Sequence, residues 1–588
     1  MNMNIAESHG GHLSVDQRSP QLERLDYVFL GIGVCFSFFL ASILMTGWPE
    51  GILPNLKHPF IYNGDGLFQF WLGQRAIEGW IFDNPRSGFP FGSSFLDYPG
   101  SDFGNLFLLK ILGKLSGSYF AAANLYLLLG FSAAFAAGFL VLRRMNLDRK
   151  LAFSAAILFA FLPYHFSRLL MGHTFYTWYF AVPIYFYIGL RVSQLDSKPI
   201  SAADLLKYSA LLAFSACFGV YFAFFGTLTI AICGVSGFPR ERNSRALLIS
   251  FTFFASICLA VLVNVAPNLL NSSENGKNTE VAQRIPVETE MYALKLVHLL
   301  LPYEMHRSKS LRNFTQNYNK TFPLSNTVSS LGVIGTLGFL SILLSFFRSS
   351  AGLNQDHRMR ILTLLTFLLL VTSTVGGLNV LFSTLISPMI RGWDRISIFI
   401  AFFSISAFFI TIEQLLKLKR VRPLTVGVIA LCIMGLGVID QTATPSYNAS
   451  LTSKTRFLQD QKFIGSIEKL MPKGSAIYQL PYIPFPEEAN LVNLGTYDLL
   501  VGFLNSENLR WSAGGMRGRE ADLFYRSLSK RPVAEQLKTI KSMGFSGIYI
   551  DKRGYQDSGQ AVVEEIIRLV GPAAREREDG AIVFFALK

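Results

Sequence analysis

An aspartate flanked by glycines is the first group in this chain equipped for chemistry. In Tyr62-Asn63-Gly64-Asp65-Gly66 the glycines let a backbone or a ligand approach the carboxylate, and a carboxylate so placed could act as a general base. It could instead do no more than cap the helix that follows. Two further carboxylates stand in Phe95-Leu96-Asp97-Tyr98-Pro99-Gly100-Ser101-Asp102. Asp65, Asp97 and Asp102 together could bind a divalent cation such as Mg or Mn, or divide base and orienting roles; loop carboxylates are also common as solvated turn residues. Candidate cations come later. His165, Arg168 and His173 could hold a phosphate or transfer a proton, or could snorkel at a membrane interface. In the block Arg284 to Tyr292, Glu288 and Glu290 precede the apolar stretch 294–301, the pattern of a lid or of acids favouring a helix start. Arg391-Gly392-Trp393-Asp394-Arg395 offers two arginines that could clamp a pyrophosphate, with an internal pair to Asp394 as the alternative.

These groups need a scaffold, and composition says which kind. Of 588 residues 51% are hydrophobic and only 16% are Asp, Glu, Lys or Arg, more apolar surface than a soluble protein of this size can hide. The opening 26 residues are polar, so the run from Tyr27 to Met45 is expected to stay as an anchor. Runs of near-spanning length follow at 118–142, 151–167, 174–190, 205–235, 247–266, 327–347, 361–378, 396–416 and 423–439. The formal charge of +14 then reads as topology. Arg143, Arg144, Arg149 and Lys150; Arg191, Lys198 and Lys207; Arg240, Arg242 and Arg245; Arg348, Arg358 and Arg360; and Lys417, Lys419, Arg420 and Arg422 cluster at one set of loops, the cytoplasmic set. Both ends of 205–235 carry that signal, so the run should fold as a hairpin turning near Gly219 and Tyr221. The predicted architecture is mainly α, a polytopic bundle of about 11 spans with the N-terminal segment 1–26 inside. Nucleic acid is not an expected partner.

Three external segments remain, 46–117, 267–326 and 441–588. The tail is expected to be a small α/β domain, its clearest elements being helices over 532–543 and 560–570 and strands over 546–550 and 581–587. Leu67, Phe68, Trp71, Leu72, Ile77 and Trp80 form a stripe after Asp65 suited to the headgroup layer. The spans hold almost no charge, which argues against an ion-coupled carrier and sends the chemistry to the outer rim, where Tyr221 joins the candidates. Cys35, Cys217, Cys233, Cys258 and Cys432 have no metal or disulfide spacing. Gly514-Gly515-Met516-Arg517-Gly518 follows no convincing strand into a helix, so it is not read as a nucleotide loop.

In order and shared sidedness, Gly64-Asp65-Gly66, Gly172-His173, the Arg284 to Tyr292 block running into Leu300-Leu301-Pro302, and Arg391 to Arg395 resemble the GT-C superfamily of integral-membrane glycosyltransferases, in particular its bacterial members. The resemblance covers roughly 27–440. It implies that Asp65 is the general base on an acceptor hydroxyl and that the donor is a polyprenyl-phosphate sugar. It further implies work on the periplasmic face of a bacterial inner membrane, toward a saccharide, lipid or protein acceptor. Asp102, Arg168, His173, Tyr221, Glu288, Glu290, Arg391 and Arg395 are the expected substrate-binding set. Better-known members often carry acidic metal ligands in the next external loop, where this chain has His165, Arg168 and His173. The residues leave two other readings open: a carrier or flippase of a lipid-linked saccharide, and a polysaccharide assembly factor.

Overall fold

The computed structural model describes residues 22–195, 199–241, 244–322, 329–350, 356–442 and 445–587. Most of the predicted N-terminal segment, Lys198, Arg242 and the last part of the second external segment lie outside the described residues.

Each predicted span corresponds to a helix: Arg24–Thr46, Tyr119–Arg144, Arg149–Ala160 continued by Pro163–Leu170, Ala181–Val192, Ala202–Ala216, Val220–Glu241, Arg245–Asn275, Gly332–Ser350, His357–Ser373, Ser397–Leu418 and Pro423–Gln441. Among the described residues, six segments are long and apolar enough to cross a membrane on length and composition alone. The chain is a multi-pass membrane protein. The run 205–235 does divide into two helices, with Gly219 at φ +131° in the turn. Small residues let the helices approach: a Cβ on Gly338 would stand 1.8 Å from the Ser404 carbonyl oxygen, so backbones meet directly there.

Charge organises one end of the bundle. Arg143 and Arg149 each donate through Nε to Asp26 Oδ1 at 2.7 Å, and Arg358 Nη2 donates to the buried Glu413 at 3.1 Å. These are the ends assigned to the cytoplasm by the basic clusters. The candidate residues all lie toward the other helix ends.

Two boundaries differ from expectation. The helix expected over 247–266 runs through Pro267 to Asn275, about 46 Å at 1.5 Å per residue, so its outer turns project past a hydrocarbon core of about 30 Å and the second loop begins at Gly276. The stripe after Asp65 does not face head groups either. All of it but Trp80 lies on helix Gly64–Glu78, where Leu67 and Trp71 are fully buried. Phe485 packs on Trp71 with ring centroids 4.8 Å apart, and Tyr497 stacks on Phe68 at 5.2 Å. Aromatic partners from the tail have replaced lipid.

The tail holds a five-stranded sheet. Ala476–Leu480 is parallel to Arg510–Trp511 on one side and to Phe545–Asp551 on the other, and the antiparallel strands Ile582–Ala586 and Arg575–Glu576 complete it. The expected helices and strands at 532–543, 546–550, 560–570 and 581–587 are present as Val533–Ser542, Phe545–Asp551, Gln560–Val570 and Ile582–Ala586. The outer edge of the sheet is covered by the first external loop: Trp511 N–H donates to the Arg86 carbonyl at 2.7 Å and Phe89 N–H to the Trp511 carbonyl at 2.9 Å. Loop and tail therefore form one layer. The glycine-rich turn 514–518 is part of that packing, with Gly514 against Ser87 and Trp71 and Gly518 against Asn278.

Candidate active site

Two glycines decide where Asp65 points. Gly172, at φ +78°, sits so close to the first turn of helix Gly64–Glu78 that a Cβ on it would stand 2.1 Å from the Gly66 nitrogen. The two loops thus touch backbone to backbone, and the residue next to each glycine meets its counterpart: His173 Nε2 lies 2.7 Å from Asp65 Oδ2. Asn63, at the N-cap, makes no side-chain cap bond. Asp65 is one residue into the helix, half exposed, with its carboxylate engaged by the histidine.

Behind His173 the chain of contacts continues inward. Arg168 Nη1 lies 3.4 Å from His173 Nδ1, and its Nη2 donates to Asp394 Oδ2 at 2.9 Å. Arg168 is completely buried and Asp394 nearly so. A guanidinium only donates, so Nδ1 must be the accepting, unprotonated nitrogen and Nε2–H faces Asp65. Burial lowers the pKa of His173 below its ordinary value, and Asp65 offsets only part of that shift.

In front of Asp65 lies a cavity of about 790 Å³, a size suited to a small ligand. Asp65, Asp102, His173, Tyr221, Arg391 and Arg395 line it. Arg395 is clamped between two ring faces, 4.0 Å from the Tyr221 centroid and 4.5 Å from that of Tyr176. Its Nε and Nη1 are buried without a hydrogen-bond partner, and no ion pair joins it to a carboxylate among the described residues. Arg391 differs: its Nη1 pairs with Glu288 Oε1 at 3.0 Å and its guanidinium stacks on Tyr292. Asp102 ends the loop before helix Phe103–Ser116; Asn105 Nδ2 donates to its Oδ1 at 2.9 Å and Tyr126 OH donates to Asn105 Oδ1 at 2.8 Å. Desolvation in this wall raises its pKa to about 6.

Other expected members stand elsewhere. Both oxygens of Asp97 are taken by Arg519 Nη2 and Nε at 2.6 and 2.7 Å, a fork that ties the first loop to the tail. Glu290 accepts from the Gly376 N–H at 3.1 Å, beyond the cavity. Arg168 supports His173 without lining the cavity, and His165 is buried against Phe131, their ring centroids 3.5 Å apart. The three carboxylates proposed for a divalent cation are thus dispersed among separate partners, and among the described residues no group of three His, Cys, Asp or Glu side chains could hold a metal. The residues present do not fit a resident cation.

The cavity also contains residues the sequence did not single out. Tyr176 follows His173 by one short turn, a nearness open to reading. Glu487 and Tyr497 come from the tail, where no local signal marks them. Glu487 accepts from Arg284 Nη2 at 2.5 Å and from Tyr98 OH at 2.8 Å, joining tail, second loop and first loop at the cavity wall.

No family model matches the chain, and no curated protein matches it. Solved structures do. The chain aligns with ArnT from Cupriavidus metallidurans in the apo state at a TM-score of 0.50 and 10% identity, over 96% of this chain and 98% of that one. It aligns with the arabinofuranosyltransferase AftD from Mycobacteria at 0.48 and 15% identity, over 97% and 40%. With the Archaeoglobus fulgidus oligosaccharyltransferase in complex with Zn and sulfate the values are 0.45 and 14%, over 89% and 68%. The near end-to-end correspondence with ArnT shows that the two chains share one fold.

Proposed function

We propose that the chain transfers a sugar from a polyprenyl-phosphate donor to an acceptor hydroxyl on the periplasmic face of a bacterial inner membrane. One observation carries this reading: a half-exposed aspartate, oriented through one oxygen by His173, shares a cavity with an arginine that has no counter-carboxylate among the described residues. Asp65 Oδ1 receives the hydroxyl proton as the acceptor oxygen attacks the anomeric carbon. The bond from that carbon to the phosphate oxygen breaks, and the leaving phosphate gathers negative charge where Arg395, assisted by Arg391, can take it. Tyr98, Tyr176, Tyr221 and Tyr497 line the same space and offer ring faces for sugar C–H groups.

The test is Asp65→Asn in proteoliposomes supplied with synthetic polyprenyl-phosphate sugars and a panel of hydroxyl acceptors. Transfer should fall by about a hundredfold or more while insertion and thermal unfolding stay unchanged. Undiminished transfer by the variant refutes the base assignment. The same vesicles report a carrier instead, if the intact lipid-linked saccharide crosses the bilayer and no glycosidic bond forms.

A further inference from the structure

We infer that Arg168 and Asp394 are positioning residues: they hold His173 as a neutral, Nε2-protonated imidazole whose single N–H aims the Asp65 carboxylate into the cavity. The inference rests on the reading of Asp65 as the base, and adds the machinery that makes it one.

Behind His173 stands a buried ion pair that packing alone does not call for. Arg168 is wholly removed from solvent and Asp394 almost so, an arrangement that gains little stability over apolar side chains of the same volume. What the pair does have is a direction. With Nη2 fixed on Asp394 at 2.9 Å, the guanidinium presents Nη1 to His173 Nδ1 at 3.4 Å. That contact selects one tautomer, because a group that can only donate requires an acceptor opposite it. It also opposes protonation, because a second positive charge would form beside the first. The charged and titratable groups facing the imidazole are Asp65 from helix Gly64–Glu78, Arg168 from helix Pro163–Leu170, and Arg395 from the turn before helix Ser397–Leu418, with the Tyr176 ring edge-on. Two of the three charges are positive, and burial adds to their effect. Were His173 an imidazolium, Asp65 would sit in an ion pair and lose basicity; kept neutral, it supplies one bond and leaves the second oxygen to the acceptor. Asp394 acts one step further back: without it, Arg168 would be a buried cation lacking a counter-charge, and its fork would have no anchor.

The experiment uses the full chain in lipid nanodiscs with ¹⁵N-labelled histidine, His173→Gln identifying the His173 resonances. In the wild type His173 should show the neutral Nε2-protonated form and take up its second proton only below its ordinary value of 6.5. Two variants probe the pair. Arg168→Met combined with Asp394→Leu removes both charges at matched volume. Arg168→Lys keeps the charge and loses the fork. In each, His173 should populate both tautomers, and in the double variant it should protonate nearer its ordinary value of 6.5. With a polyprenyl-phosphate sugar donor the double variant should lose about a hundredfold in kcat, keep its donor KM, and show its acidic limb moved to higher pH. If His173 signals in folded variants match the wild type, the inference is overturned; Arg168→Lys decides the point if the double variant does not fold. The parent reading fails separately: an active Asp65→Asn removes the base while leaving the tautomer result standing. An inactive Asp65→Asn together with wild-type His173 signals in the Arg168 and Asp394 variants sinks the positioning role alone.

Discussion

Replacing Arg395 by methionine should leave the empty protein as stable as before and damage only its hold on phosphate. Two tyrosine faces at 4.0 and 4.5 Å contribute about 0.5 to 2 kcal/mol each, but Nε and Nη1 are buried with no acceptor, and a buried donor left unpaired costs about 1 to 3 kcal/mol. The two sides nearly cancel, and methionine fills a similar volume with no charge to desolvate. Apo stability should therefore change by no more than about 1 kcal/mol in either direction. Ligand binding has no such cancellation. A charge-assisted bond to a phosphate oxygen is worth about 1.5 to 3 kcal/mol, or about 10- to 150-fold in affinity. The assay is thermal unfolding of purified Arg395→Met and wild type in the same detergent, with and without a short-chain polyprenyl phosphate, alongside direct titration of that lipid. Equal lipid affinity in the two proteins, or an apo variant several kcal/mol less stable, would show that Arg395 is a packing residue and would remove the anion site from the mechanism.

Three other perturbations follow from local geometry. Gly172→Ala places a Cβ 2.1 Å from the Gly66 backbone nitrogen at a φ of +78°, so the loops must separate and transfer should fall as far as in Asp65→Asn; Gly64→Ala, at φ +44° with open space around it, should cost only the strain, about 1 to 2 kcal/mol of stability. Retained transfer in Gly172→Ala would break the link between the glycine contact and catalysis. Asp102 has a folded pKa raised by desolvation to about 6, above its unfolded value, so the native state holds the extra proton and stability falls as pH rises from about 4 to 6. Asp102→Asn should then unfold at a higher temperature than the wild type at neutral pH, with the difference closing toward pH 4; a constant difference across that range would deny the buried carboxyl.

How much of this could be read beforehand differs element by element. The bundle was legible because apolar runs and basic loops act locally: a run long enough to span and an arginine at its end need no knowledge of the rest. The hairpin within 205–235 came from charge at both ends of one run. By contrast, the long helix Pro445–Leu470 carries no apolar run, and the strand Ala476–Leu480, though buried at every position, is too short to stand out from its surroundings. At the site, Gly64-Asp65-Gly66 and Gly172-His173 were visible as motifs, but their meeting is a contact across more than a hundred residues. The roles of Arg391 and Arg395 could not be separated at all. Four residues apart on one short stretch, they differ because Glu288 reaches one and two tyrosines enclose the other.

That difference gives the cavity its electrostatic character. Arg391 is answered by Glu288, Arg284 by Glu487, and Arg517, in the glycine-rich turn, by Glu488, so most of the charge around the wall is already paired and is poorly placed to attract a ligand strongly. The tail is tied to the loops through Glu487 and Arg519, which is why the layer closes over the helix ends as one piece: lifting it would separate Arg284 from Glu487 and Arg519 from Asp97 together. What is left over is one arginine with unsatisfied N–H groups and one aspartate held by a single histidine bond. An entering phosphate completes the first, and a hydroxyl placed beside the phosphate-bearing carbon completes the second. A wall in which every charge was already matched would bind neither, and a wall with many unmatched cations would hold the departing phosphate too tightly for turnover. On the proposed reading, one cation left unpaired among the described residues suits a monoanionic linkage whose product must still leave.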